Sequence, residues 1–175
     1  RGGTEALAPY TPHPGLSEEA AEDYTFMATE FWKQQEFAVA AAAAENAARI
    51  NPEYAQAYAL AGMSYKESGN MDKALAAFDR AIALDPDGFP WNHLNRSDLL
   101  LKKGDYERAR VAAEKGLALL PEDSLGLILK GRACIGLGLL EEARNLLQAA
   151  RAKGPDGRLI EEAFQELENA GEAAP

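Results

Sequence analysis

One cysteine, two histidines, a shortage of basic residues and the lack of any long hydrophobic run each exclude something about this 175-residue chain. Cys134 cannot form an internal disulfide, so cysteine usage leaves both a reducing cytosol and an oxidising cell-envelope compartment open, with the cytoplasm as the default. The histidines, His13 and His93, are far apart, and no Asp, Glu or Cys recurs beside them at metal-ligand spacing. No glycine-rich phosphate loop follows a strand, and strand formers are scarce throughout. These gaps argue against an enzyme and against a bound metal or cofactor. The small-residue run Ala38 to Ala44 falls far short of the roughly 20 residues a membrane helix needs and ends at Glu45 and Asn46, so no membrane insertion is expected. Lys and Arg number 18 against 28 Asp and Glu, a net charge of −10. Phosphate binding draws on a basic surplus, so nucleic acid is not an expected partner. The chain opens at Arg1 rather than Met, which leaves a cleaved signal, a processed precursor and an excised domain all open.

What is abundant is alanine, followed by Leu, Glu, Lys and Arg, the composition of close-packed helices. The order along the chain is periodic. Prolines stand at Pro52, Pro86, Pro121 and Pro155, in steps of 34, 35 and 34. Small residues keep the same register in three columns: Ala28, Gly62, Ser97, Gly131; Ala40, Ala74, Ala109, Ala143; and Ala47, Ala81, Gly116, Ala150. Between them lies a turn column of Gly69, Gly104 and Gly138, where glycine permits the positive φ that ends one helix before its antiparallel neighbour begins; the first unit has Gln35 there. Each unit therefore reads as helix, tight turn, helix and a short loop closed by proline. Small residues are needed because two helices approach closely only where side chains are slight.

The units run over 17–54, 55–88, 89–123 and 124–157. Ahead of them, residues 1–16 are rich in Pro and Gly and read as a flexible tail, with Ser17 as the N-cap of the first helix. In an alternative reading, Tyr10, Pro12 and Leu16 of this tail lie in the stack's own groove as a tethered ligand. After the units, residues 158–170 place Leu159, Ile160, Ala163, Phe164 and Leu167 on one face and Glu161, Glu162, Glu166 and Glu168 elsewhere, a capping helix with a solvated acidic side, followed by a tail at 171–175. Inward stripes include Tyr24, Met27 and Phe31 in the first unit, Tyr58, Tyr65 and Phe78 in the second, and Leu127, Cys134 and Leu147 in the fourth. Cys134 is thus expected to be core rather than a nucleophile.

The stretch AYALAGMSYKESGNMDKALAAFDRAIALDP resembles a tetratricopeptide repeat, with Tyr58, Gly62, Tyr65, Gly69, Ala74, Phe78, Ala81 and Pro86 at the family's signature sites. The resemblance implies an all-α fold, an α-solenoid wound as a right-handed superhelix of four helix pairs plus a cap. It also implies a non-catalytic scaffold or adaptor that binds another polypeptide along its concave side, where the first helices lie. On that side the expected groove residues are Thr29, Trp32 and Lys33 in the first unit, Met63 and Lys66 in the second, Trp91, Leu94, Asn95, Asp98 and Lys102 in the third, and Leu125, Ile128 and Arg132 in the fourth. The face is expected to be apolar with a thin ladder of basic residues, suited to a peptide or helix with apolar anchors. Family members that clamp a C-terminal carboxylate do so with Lys, Asn and Arg at sites where this chain has Thr25, Thr29, Leu60 and Trp91, with only Asn95 retained, so that use is not expected. A dedicated chaperone that shields an aggregation-prone segment, and a docking domain of a larger protein, are the competing readings. Self-association is left open.

Overall fold

The computed structural model describes residues 17–154 and 157–172. The expected N-terminal tail, including the tethered-ligand reading of Tyr10, Pro12 and Leu16, lies outside the described residues. Among those described, the chain forms nine helices and no strand: α1 (Ser17–Lys33), α2 (Phe37–Ile50), α3 (Ala55–Glu67), α4 (Met71–Leu84), α5 (Pro90–Lys102), α6 (Tyr106–Leu119), α7 (Ser124–Gly136), α8 (Leu140–Ala152) and α9 (Gly157–Glu172). Consecutive helices pair as α1/α2, α3/α4, α5/α6 and α7/α8, and α9 closes the stack against α7 and α8. The last helix continues through Glu172, so the first residues expected as a C-terminal tail are helical.

The turns follow from backbone chemistry. Gly69, Gly104 and Gly138 have φ of +80°, +74° and +75°, and Gln35 takes the same conformation at +63°. At each turn the amide one residue further on reaches back to a carbonyl in the last turn of the first helix: Glu36 to Phe31, Asn70 to Tyr65, Asp105 to Leu100 and Leu139 to Cys134, at 2.8–3.0 Å. The left-handed residue thus closes off carbonyls that the helix end leaves unpaired. Asn70 and Asp105 cap the next helix with side-chain oxygens that accept from the backbone N–H of Lys73 and Arg108. Glu36 and Leu139 provide no such cap.

The small-residue columns sit where helices cross. Ala28, Ala40, Ala47, Ala74, Ala81, Ala109, Ala143 and Ala150 are fully buried. A Cβ on Gly62 would lie 2.8 Å from the Phe78 ring, and one on Gly131 would lie 2.9 Å from Leu147, so bulk on one helix occupies the hollow that glycine leaves on the other. Ser97 fits the same column by donating its hydroxyl to the Ala109 carbonyl at 2.8 Å. Phe78, Leu99, Leu100, Leu147 and Leu167 fill the spaces between crossings, each worth about 1.5–3 kcal/mol of burial. Cys134 lies fully buried in the cluster that joins α7, α8 and α9, and burial pushes its thiol up to about 11. Met27 departs from expectation: it is exposed, as is Phe26, because this side of α1 carries no further helix pair among the described residues.

The longer proline step has a location. Helix α5 begins four residues after Pro86, whereas α3 and α7 begin three residues after Pro52 and Pro121, so the additional residue lies in the α4–α5 connection. There Asp85 folds back to accept the Gly88 amide at 2.9 Å, and any Cβ on Gly88 would collide with that carboxylate. Helix α5 packs against α3 and α4 more sparsely than the corresponding helices do at the other junctions.

Candidate peptide-binding face

First helices touch their successors in order, α1 to α3, α3 to α5, α5 to α7 and α7 to α9, while the backbones of the second helices α2, α4, α6 and α8 stay apart. The side with the closer spacing is the inside of the curve. The first helices therefore line the concave face, and the cap is its last member.

This geometry divides the expected groove residues. Leu94 and Ile128 are 1% and 0% exposed and belong to the core with Thr25 and Leu129, so Leu94 and Ile128 are corrected to packing residues. Their positions point inward too steeply for a ligand to reach. Thr25 and Thr29 donate their hydroxyls to the carbonyls four residues earlier, Ala21 and Thr25, which leaves them locally satisfied. Met63 packs on the Ala74, Phe78 and Leu99 cluster, and Leu125 packs on that of Leu94, Ala113 and Leu129. Trp32 is half-buried, edge-on to Phe37 with ring centres 6.1 Å apart, and its indole N–H is buried without a hydrogen bond. Trp91 is different, being 51% exposed at the start of α5.

The basic ladder is present but paired. Lys66 reaches Asp98 at 3.1 Å and donates to the Asn95 side-chain carbonyl at 2.7 Å, joining α3 to α5. Lys102 meets the same Asp98 at 3.0 Å, and Lys33 pairs with Glu30 at 2.8 Å. Arg132 forks onto Glu166 of α9, its Nε donating at 2.9 Å and its Nη2 contacting the other carboxylate oxygen. Each cation of the expected ladder has a carboxylate partner, and two of the four pairs tie successive first helices together.

Glu166 was read in the sequence as part of a solvated face, and Tyr106 was not singled out. With Asp98, Leu101, Lys102 and Arg132 they line a recess of about 230 Å³ on the concave side. The signal for Glu166 was the period itself, since Asp98, Arg132 and Glu166 follow one another in steps of 34, one unit beyond the last full repeat. This column alternates acid, base, acid along three successive first helices. The face therefore offers an exposed indole and half-buried apolar surface interrupted by ion pairs that a partner's polar groups can exchange with.

Two family models described as tetratricopeptide repeat match residues 27–89 and 100–169. A curated relative, "Protein STIP1 homolog" of Dictyostelium discoideum, is 33% identical over 106 residues, which cover 59% of this chain and 18% of that protein. The chain thus spans under a fifth of that relative's length. Among solved structures, MamA 41-end from Desulfovibrio magneticus RS-1 superposes with a TM-score of 0.73 at 20% identity, covering 89% of this chain and 97% of that one. The TPR2B domain of yeast Sti1, solved as a complex with pHsp70, gives 0.60 at 23% identity over 66% of this chain and 96% of that one. At these identities the structures share a fold with this chain.

Proposed function

The chain belongs to the tetratricopeptide repeat family, whose repeats are scaffolds for protein–protein interaction, and from that premise we propose that it is a non-catalytic adaptor holding a peptide or helix of a partner on its concave face. The observation that carries this reading is Trp91, a large aromatic left half exposed on an inner helix whose neighbouring apolar residues are buried. An aromatic in such a position loses little entropy on binding and gains much desolvation, which makes it the expected anchor. The proposed contact set is Trp32, Trp91, Asn95, Leu125 and the ion-paired residues Lys66, Asp98, Lys102 and Arg132. Because Lys66 and Arg132 already have partners, polar groups of the ligand add specificity by exchanging into those pairs rather than by neutralising bare charge. The pHsp70 complex of the yeast Sti1 domain supports the general mode, a polypeptide partner on such a stack. That partner is not transferred to this chain.

The test is affinity capture with the intact protein, followed by mapping of the captured segment and titration of a peptide made from it. Trp91→Ala should weaken that peptide by about 2 kcal/mol, roughly thirtyfold in Kd. Unchanged affinity would remove the concave face as the site.

A further inference from the structure

A second open surface lies on the opposite side of the stack, in the cleft between α2 and α4. Because the backbones of second helices stay apart, every junction leaves such a gap on the outer face, floored by the first helix between them. Two of the three gaps are plugged in the same way. In the α4/α6 gap Arg96 rises from α5 to Asp79 of α4, at 2.5 Å. In the α6/α8 gap Lys130 rises from α7 to Glu114 of α6 and Glu142 of α8, at 3.5 and 3.8 Å. Both cations are largely covered, with side chains 20% and 17% exposed. The plug and its acid are repeat positions: Arg96 and Lys130 are one unit apart, and so are Asp79 and Glu114. One unit earlier the acid is retained as Glu45, while the plug position holds Ala61.

The first gap is consequently empty, a cleft of about 480 Å³ with Tyr58, Ala61 and Tyr65 along its floor. Where the filled gaps have a central cation that meets Asp79, or Glu114 and Glu142, this one has an apolar floor beside Arg49 on α2 and Lys73 and Arg80 on α4. Glu45, deprived of a cation at position 61, turns to the Tyr65 hydroxyl and to Lys73 at 3.8 Å. Lys73 stands over the Tyr65 ring at 4.8 Å, and Arg80 lies over Tyr58 at 5.7 Å while donating to the Pro52 carbonyl at 3.1 Å. Lys73 and Arg80 thus place two basic groups on one wall of the cleft, with Glu45 as the carboxylate across from them, on a chain whose net charge is −10.

We propose that the α2/α4 cleft is a docking site for an acidic segment of a partner polypeptide, with an apolar or aromatic side chain seated on Ala61 between the two tyrosines and Asp or Glu side chains reaching Lys73 and Arg80. The filled junctions show what this space accepts, an aliphatic stem ending in a charge opposite to that of a wall residue, and here Lys73 and Arg80 on the α4 wall call for a carboxylate. The cleft spans Lys73 to Arg80, two turns or about 10 Å of helix, which matches a short acidic stretch. Its volume lies within the range of ligand-holding pockets. This site is independent of the concave face and does not involve Trp91.

The probe is a short fluorescein-labelled peptide of glutamates with one Phe and flanking Leu, capped at both ends, compared with the same peptide carrying Gln for Glu. The acidic peptide should bind saturably, shift the backbone amides of 45–49, 58–65 and 73–80 in NMR spectra, and weaken about tenfold or more when Gln replaces Glu. Ala61→Arg should supply the missing plug, pair with Glu45 and abolish binding with helicity retained. The exposed pair Lys73→Glu with Arg80→Glu should do the same through the walls, and it decides the question if Ala61→Arg does not fold. Trp91→Ala should leave this peptide's affinity unchanged, which separates the cleft from the concave site. Any of four results would overturn the proposal: no saturable binding, equal binding of the Gln peptide, shifts confined to the concave face, or self-association of the chain through the cleft in place of peptide binding.

Discussion

The fully buried part of the contact between α1 and α2 is alanine, with Ala28, Ala40, Ala43, Ala44 and Ala47 completely covered, whereas Ile128, Cys134, Leu147, Ile160 and Leu167 fill the space among α7, α8 and α9. Alanine at a crossing brings two backbones close but withdraws little apolar area from water per residue; leucine and isoleucine withdraw roughly twice as much or more. The ends differ in finish as well. A glycine turn and a covering helix complete the C-terminal end, while the first pair turns on a strained Gln35 and leaves Phe26 68% exposed. Identical repeat geometry can thus be held by different amounts of burial, and the C-terminal end should be the more resistant to opening.

Removing residues 157–175 should have the largest effect. It uncovers the apolar surface that Ile160, Ala163 and Leu167 seal, costing on the order of 5 kcal/mol and promoting association. Sedimentation and thermal melting read both consequences, and alkylation of Cys134, negligible in the intact protein because its thiol is buried and its pKa raised to about 11, should become fast. A truncated chain that stayed monomeric and equally stable would show that α9 is no cap.

Next in size, Leu147→Ala should cost about 2–5 kcal/mol in denaturant melts, while Ala44→Gly at the other end should cost only about 1 kcal/mol. Equal losses would break the contrast between the ends. A third pair concerns caps. Leu139→Asp should gain roughly 1 kcal/mol by giving α8 the side-chain acceptor that Asp105 gives α6, and Asp105→Ala should lose a similar amount. Smallest is Gln35→Gly, which should raise the melting temperature slightly, by about 0.5–1 kcal/mol of relieved left-handed strain, whereas Gly138→Ala should lower it by a similar amount.

Much of the architecture was legible because it is encoded as a period. The small columns, the turn glycines and the amphipathic last helix each require a residue type at a fixed spacing, and the structure uses them as crossings, turns and cover. The concave face was less legible for two physical reasons. Helical periodicity gives the direction of a side chain but not the depth at which the next helix covers it, so Leu94 and Ile128 could not be told from exposed residues such as Trp91. Charge pairing between successive helices depends on their separation, so the partners of Lys66 and Arg132 were hidden until α5 and α9 were in place. Glu166 was within reach of the repeat step but was assigned to solvent on composition.

The additional residue between Pro86 and α5 makes the middle of the stack mechanically unlike its ends. There α5 rests lightly on α3 and α4, and much of the connection is electrostatic: Lys66 to Asp98, Arg96 to Asp79, and Lys103 to Asp72 at 2.5 Å. Lys103 also holds the Asp72 carboxyl below its ordinary titration range. Apolar contacts strengthen or hold steady as ionic strength rises, whereas the exposed Lys103–Asp72 pair is screened within about 10 Å at 0.1 M salt and the two covered pairs less so. Salt should therefore act on this molecule as a lubricant at one bearing, easing the joint between its two halves before either half loses its own shape.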